Sequence, residues 1–172
     1  SCMFEESVSV PMIYRGSDVP SNVAVDTPVS LLDIAPTIAA VAGVDAQGED
    51  YRGASLVDLA NGTGSDRVVF SEYHATGADT GMFMVRKGQW KYIYYVGAPC
   101  QLFDLVHDPG EENDLSQDSG FQAVLREMDS ELRRICDPEK VNAQAFADQA
   151  DTIAKNGGRV QILNAKEIAY TP

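Results

Sequence analysis

The chain has 172 residues, 44% of them apolar and 23% charged, which fits a folded chain of one domain, or a small domain plus part of another, and excludes disordered or collagen-like character. Acidic residues outnumber basic ones 26 to 13, giving a formal net charge of -13, so the surface repels phosphate backbones and anionic lipid and argues against nucleic acid or a membrane as partner. Cys2, Cys100 and Cys136 are too few and too scattered for a disulfide framework, and no apolar run reaches the roughly 18 residues of a membrane span. A cytoplasmic setting is therefore expected, with a periplasmic one left open because the opening Ser1-Cys2-Met3 decides nothing about a leader.

Val8 to Tyr14 forms a short apolar run ended by Arg15-Gly16, and predicts a strand buried on both faces. In Ser30 to Gly43, apolar residues at 31, 34, 38 and 41 make a helical stripe, with Ser30 or Asp33 as its cap and Pro36 tolerable only near the first turn. A short helix follows near Ala54 to Leu59. After residues 61 to 66 the pattern changes to RVVFSEY, MFMVRK, WKYIYYV and QLFDL, sequential short strands that predict an antiparallel sheet. Phe121, Val124, Leu125, Met128, Leu132 and Ile135 share one side of a long helix expected to lie across that sheet, capped by a Ser119/Gln122 box. Asp137-Pro138 opens another helix that stops at Asn156-Gly157-Gly158, and the last fifteen residues read as an extended tail.

The predicted fold class is α+β. Residues 1–62 read as the edge of an α/β domain, 63–136 as a four-stranded antiparallel sheet on a long helix, and 137–172 as a helical extension with an extended tail. The turn Asp108-Pro109-Gly110-Glu111 is expected to be structural, because it combines a fixed φ with a permissive glycine.

Three stretches carry a resemblance. Met3 to Ile13 (MFEESVSVPMI) is similar to a strand that follows the active-site lysine of sulfatases in the alkaline-phosphatase superfamily. Asp26 to Thr37 running into Ala42-Gly43-Val44 resembles that family's V-S-x-x-D-x-x-P-T helix. Gln101 to Leu105, with Asp108-Pro109-Gly110-Glu111 and Asn113-Asp114-Leu115, resembles its L-(Y/F)-D-L-x-x-D-P-x-E-x-x-N-L strand and turn. The order and spacing of the three make the resemblance to the later half of a sulfatase specific, over residues 1 to about 135.

The resemblance implies a metal-dependent sulfuric ester hydrolase whose substrate is a small-molecule sulfate ester. It implies a divalent cation, calcium by preference, and a formylglycine nucleophile, both placed before residue 1 and outside this chain, so that the chain alone would be inactive. No catalytic residue and no metal ligand is assigned within it. Ser1 and Cys2 would border the substrate pocket, because the family's lysine would immediately precede them. His74 is the third substrate-binding candidate, since it follows the strand FSEY and opens a Gly-rich loop where binding residues concentrate. Cys136-Asp137-Pro138-Glu139-Lys140 only superficially echoes the family's nucleophile motif, since Lys140 stands in place of its arginine. Phosphonate monoester or phosphodiester hydrolysis on the same scaffold is an alternative, as is a non-catalytic oligomerisation module. The carboxy-terminal extension is the expected contact of a homo-oligomer.

Overall fold

The computed structural model describes residues 2–16, 19–44, 51–62, 66–75 and 77–164. Its centre is an antiparallel meander of four strands, β1 (Val68–Tyr73), β2 (Met82–Lys87), β3 (Trp90–Tyr95) and β4 (Gln101–Asp104), in the order β1-β2-β3-β4. Short connections make this order the economical one, since an antiparallel neighbour needs only a turn. The four-stranded sheet and the helices give the α+β class expected from the sequence.

Register fixes which side chains share a face. Phe70, Val85, Tyr92 and Leu102 lie opposite one another across the four strands, as do Val69, Arg86, Lys91 and Phe103 on the other side. On the first face Phe83, Val85, Tyr92 and Leu102 bury against Met128 and Leu132 of α4 (Gln122–Ile135). The apolar stripe of α4 was legible; its cap is different. Asp118, not Ser119, accepts a hydrogen bond from the Gly120 N–H at 2.8 Å, a 3-10 turn spans residues 119–121, and the Gln122 amide donates to the Ser116 carbonyl. A charged carboxylate one residue earlier outcompetes the serine hydroxyl for the free N–H groups.

On the second face Met82, Met84, Ile93 and Phe103 bury against Met3, with Phe4 and Val8 packed at the margin. These last belong to the N-terminal segment, where α1 (Glu5–Val8) is followed by irregular chain. The strand predicted over Val8 to Tyr14 is not formed. Among the described residues no strand pairs with this segment, and Ile13 is 93% exposed. Strand composition only makes a strand where a neighbouring edge takes its N–H and C=O groups.

The predicted helix of residues 30–43 becomes a 3-10 turn over Leu31–Asp33 and α2 (Ile34–Val41), with Ser30 and Asp33 forming a reciprocal capping box. Asp33 does more than cap. It is fully buried, accepts from the Ala54 N–H at 2.8 Å, and takes both terminal nitrogens of Arg67 at 2.8 and 3.0 Å. Gly53 is required here, because a Cβ would collide with the Leu32 backbone carbonyl. The short helix α3 (Leu56–Ala60) follows. Arg67 thus ties the segment before residues 61–66 to the sheet that follows.

Asp137 caps α5 (Pro138–Lys155) by accepting from the Lys140 N–H, with Pro138 at the first helical position, as read from the sequence. Beyond the glycine pair the extended tail is replaced by α6 (Arg159–Asn164), since helix-forming residues resume once Gly157-Gly158 has turned the chain. Residues 165–172 lie outside the described residues. Among the described helices none is long and apolar enough to cross a membrane.

Candidate functional site

A groove of about 880 Å³ runs between the N-terminal segment and the β1 edge of the sheet. Cys2, Ser7 and Val8 line one wall, Asp26 to Leu31 another, and Ser71, Tyr73 and Arg86 the floor. Cys2 is held by local geometry: its Sγ lies 3.1 Å from the Ser7 Oγ, one turn along α1. The Ser7 hydroxyl, and then the Phe4 backbone N–H, hold the Cys2 thiol below its ordinary value. Ser1 lies outside the described residues.

His74 sits elsewhere. It continues the alternation of Phe70 and Glu72, so its ring falls on the α4 face and meets Phe83 edge-on, with centroids 5.1 Å apart. A second cavity of about 430 Å³ opens beside it, bordered by Gly77, Thr80, Asn142 and Gln149. Two bonds from α5 close this cavity: the Asn142 Oδ1 accepts from the Gly81 N–H at 2.7 Å, and the Gln149 Nε2 donates to the His74 carbonyl at 3.0 Å. Gly81 must be glycine, since a Cβ would stand 2.9 Å from both the Asn142 Oδ1 and the His74 ring. Both ring nitrogens are buried without a hydrogen-bond partner, although the Glu72 carboxylate stands 3.6 Å from Nε2. The sheet therefore separates Cys2 from His74, and the two do not share a pocket.

The residue that sequence reasoning passed over is Lys91. Lys91 is fully buried on the second face, with its Nζ 2.9 Å from Glu5 Oε1 and 2.7 Å from Glu111 Oε1. The opposite oxygen of Glu5 lies 3.5 Å from Arg86 Nη1. One trace of this was readable: Lys91 alternates with Ile93 and Tyr95, and a lysine on an apolar face needs a carboxylate. Which carboxylates come from 86 and 20 residues away is a property of the fold.

His107 is exposed, and its Nδ1 donates to the Asp104 Oδ2 at 2.9 Å. Burial pulls the Asp104 carboxyl upward, but His107, Gln89 and two backbone N–H groups outweigh it and hold the carboxyl below its usual range. Cys136 lies at the α4–α5 junction, packed on the core, where burial pushes its thiol up. That environment suits a small apolar side chain and opposes a nucleophile.

Among the described residues no three His, Cys, Asp or Glu side chains converge as metal ligands. The buried carboxylates Asp33 and Glu111 are matched by Arg67 and Lys91. These residues do not fit a divalent cation.

Residues 1–137 match the family model described as N-sulphoglucosamine sulphohydrolase, C-terminal. The chain belongs to this sulfatase family. All three motifs named above fall inside the matched stretch. Arylsulfatase K of Mus musculus is 36% identical over 153 residues, which is 82% of this chain and 27% of that protein. The choline-sulfatase of Rhizobium meliloti (strain 1021) is 37% identical over 118 residues, 66% of this chain and 22% of that protein. A solved structure described as BT1596, a 2-O GAG sulfatase, superposes with a TM-score of 0.52 at 28% identity, covering 68% of this chain and 25% of its own. The chain thus spans about a quarter of the length of the sulfatases it matches.

Proposed function

We propose that this chain is the carboxy-terminal part of a metal-dependent sulfuric ester hydrolase, and that it supplies one wall of the pocket that receives a small-molecule sulfate ester. Membership of the sulfatase C-terminal family over residues 1–137 carries this reading, supported by the likeness to arylsulfatase K and choline-sulfatase. In it, the divalent cation, calcium by preference, and the formylglycine belong to residues outside these 172, and would supply the nucleophile and the charge that polarises the ester. This chain's share is binding and shape. Residues 1–62 close the catalytic domain, 63–136 form the sheet unit that backs it, and 137–172 form an extension.

Ser1 and Cys2 are proposed substrate contacts, Cys2 from the wall of the groove. His74 is the proposed contact on the opposite face of the sheet, an alternative to the groove side: a ring N–H there would donate to a sulfate or leaving-group oxygen entering the second cavity. Exposed Phe146, Ile153, Val160 and Leu163 on α5 and α6 support self-association through the extension. A cytoplasmic setting belongs to the same reading, on the ground of three free cysteines.

The experiment is hydrolysis of an aryl sulfate by the full-length protein, with and without chelator, beside an aryl phosphonate monoester and a phosphodiester. Chelator-sensitive sulfate release that exceeds the other two is expected. A larger kcat/KM for the phosphonate would move the assignment to that ester class, and no turnover of any ester would end it.

A further inference from the structure

We infer that Lys91 and Glu111 are positioning residues for the Cys2 groove: their ion pair, extended through Glu5, fixes the segment Cys2–Val8 as a wall against the sheet. This deepens the pocket-wall reading above and rests on it.

A helix of four residues is far below the length at which a helix holds itself. Met3 is buried and Phe4 packs on Phe103 with ring centroids 5.7 Å apart, which attaches α1 to the sheet. Apolar attachment is non-directional, however, and leaves the segment free to slide or rotate. Direction comes from the charges. The Glu111 Oε2 accepts from the Glu5 main-chain N–H at 2.5 Å, while its Oε1 pairs with the Lys91 Nζ at 2.7 Å. The Glu5 Oε1 binds the same Nζ at 2.9 Å, and its Oε2 faces Arg86. Glu5 is thus held at its backbone and at both carboxylate oxygens, which fixes the place and the orientation of α1 together.

The cluster has two cations and two carboxylates, so burial leaves no net charge uncompensated. Glu111 reaches it from the turn after β4 with φ at +54°, a left-handed conformation that a residue with a Cβ adopts only at some cost. A buried ion pair is weak evidence for stability but a good device for register, because a misplaced segment would strand a charge. Cys2 and Ser7 are the groove-facing consequence, since their contact across α1 exists only while the helix is in place.

The test compares the full-length protein with its Lys91→Met, Glu111→Gln and Lys91→Met/Glu111→Gln variants. Three readouts are taken: amide exchange at Glu5, Ser7, Val8 and Ser9; labelling of the Cys2 thiol as a function of pH; and KM against kcat on an aryl sulfate. In Lys91→Met, exchange at those four amides should rise about tenfold or more, as for local opening, with the sheet amides unchanged. Cys2 labelling should move to higher pH as the Ser7 and Phe4 contacts are lost, with Cys100 and Cys136 unchanged. KM should rise more than kcat falls. Glu111→Gln, whose amide oxygen still accepts from Glu5, should fall between Lys91→Met and wild type. If the single variants fail to fold, the double variant leaves no unpaired charge on Lys91 or Glu111 and carries the test. Folded variants whose exchange and Cys2 profile match wild type would overturn the inference, as would exchange that rises equally across the sheet. A wild-type protein that cleaves no sulfate ester would end the pocket reading, while exchange and labelling would still decide the positioning role.

Discussion

The two faces of one sheet are closed by different physics. On the α4 face, Phe83, Val85, Tyr92 and Leu102 meet a fourteen-residue amphipathic helix, and burial of apolar surface accounts for the contact. On the other face a four-residue helix and three apolar side chains cover Met82, Met84, Ile93 and Phe103, and a cluster of four charged residues supplies what area does not. A long helix has enough surface to be placed by packing alone. A short one has not, and needs directional bonds.

The largest expected effect lies on the apolar face. Phe83→Ala should cost about 3–5 kcal/mol in denaturant unfolding, as a fully buried aromatic whose removal leaves a cavity. A cost under about 1 kcal/mol would show that α4 is not what closes that face. Lys91→Met comes next, at about 3 kcal/mol, because Glu111 is left buried without its cation. The double variant with Glu111→Gln should recover most of that loss. Failure to recover it would mean that Lys91 acts by packing and not by charge.

Asp33 gives the comparison a pH axis. Burial raises its carboxyl pKa, yet Arg67 and the N–H groups of Ala54 and Ser30 outweigh burial and hold it below the ordinary carboxylate range. A group depressed in the folded state stabilises fully above its unfolded value, near 3.9, and loses that contribution as pH falls through the folded value. Asp33→Asn should therefore lower stability at pH 7, by about 2 kcal/mol for hydrogen bonds to a charged group, and flatten the acid limb of the stability curve. An unchanged acid limb would remove Asp33 from the link between α2 and β1. Asp137→Ala should cost about 1 kcal/mol through loss of the α5 cap. The exposed Arg134, paired with Glu131 at 3.0 Å, should change stability by less than about 0.5 kcal/mol when replaced by alanine.

What the sequence shows follows the same division. The four strands and the stripe of α4 were readable because period-2 and period-3.6 patterns are local statements about which side is buried. Val8 to Tyr14 misled because its composition is that of a strand while its partner is a matter of topology. The helix α6 was hidden by a glycine pair that turns the chain without ending helix formation. Ser30 or Asp33 was read as the cap; Ser30 is the capping residue and Asp33 closes the box from the third position, while its bond to Arg67 comes from 34 residues on. The groove around Cys2 was suggested only by resemblance, and its separation from His74 follows from strand alternation once β1 is placed. Lys91, Glu5 and Glu111 meet through the fold alone.

The left-handed backbone at Glu111 has a consequence for anyone who would redesign this chain. Turn statistics favour glycine at a positive φ, and a stabilisation scheme built on them would write Glu111→Gly. The turn itself would relax. The substitution would also delete the acceptor of the Glu5 amide and leave Lys91 with Glu5 alone, so an improved loop would detach a wall more than a hundred residues away in sequence. Optimising a turn by its local geometry would here trade the position of one segment for the comfort of another.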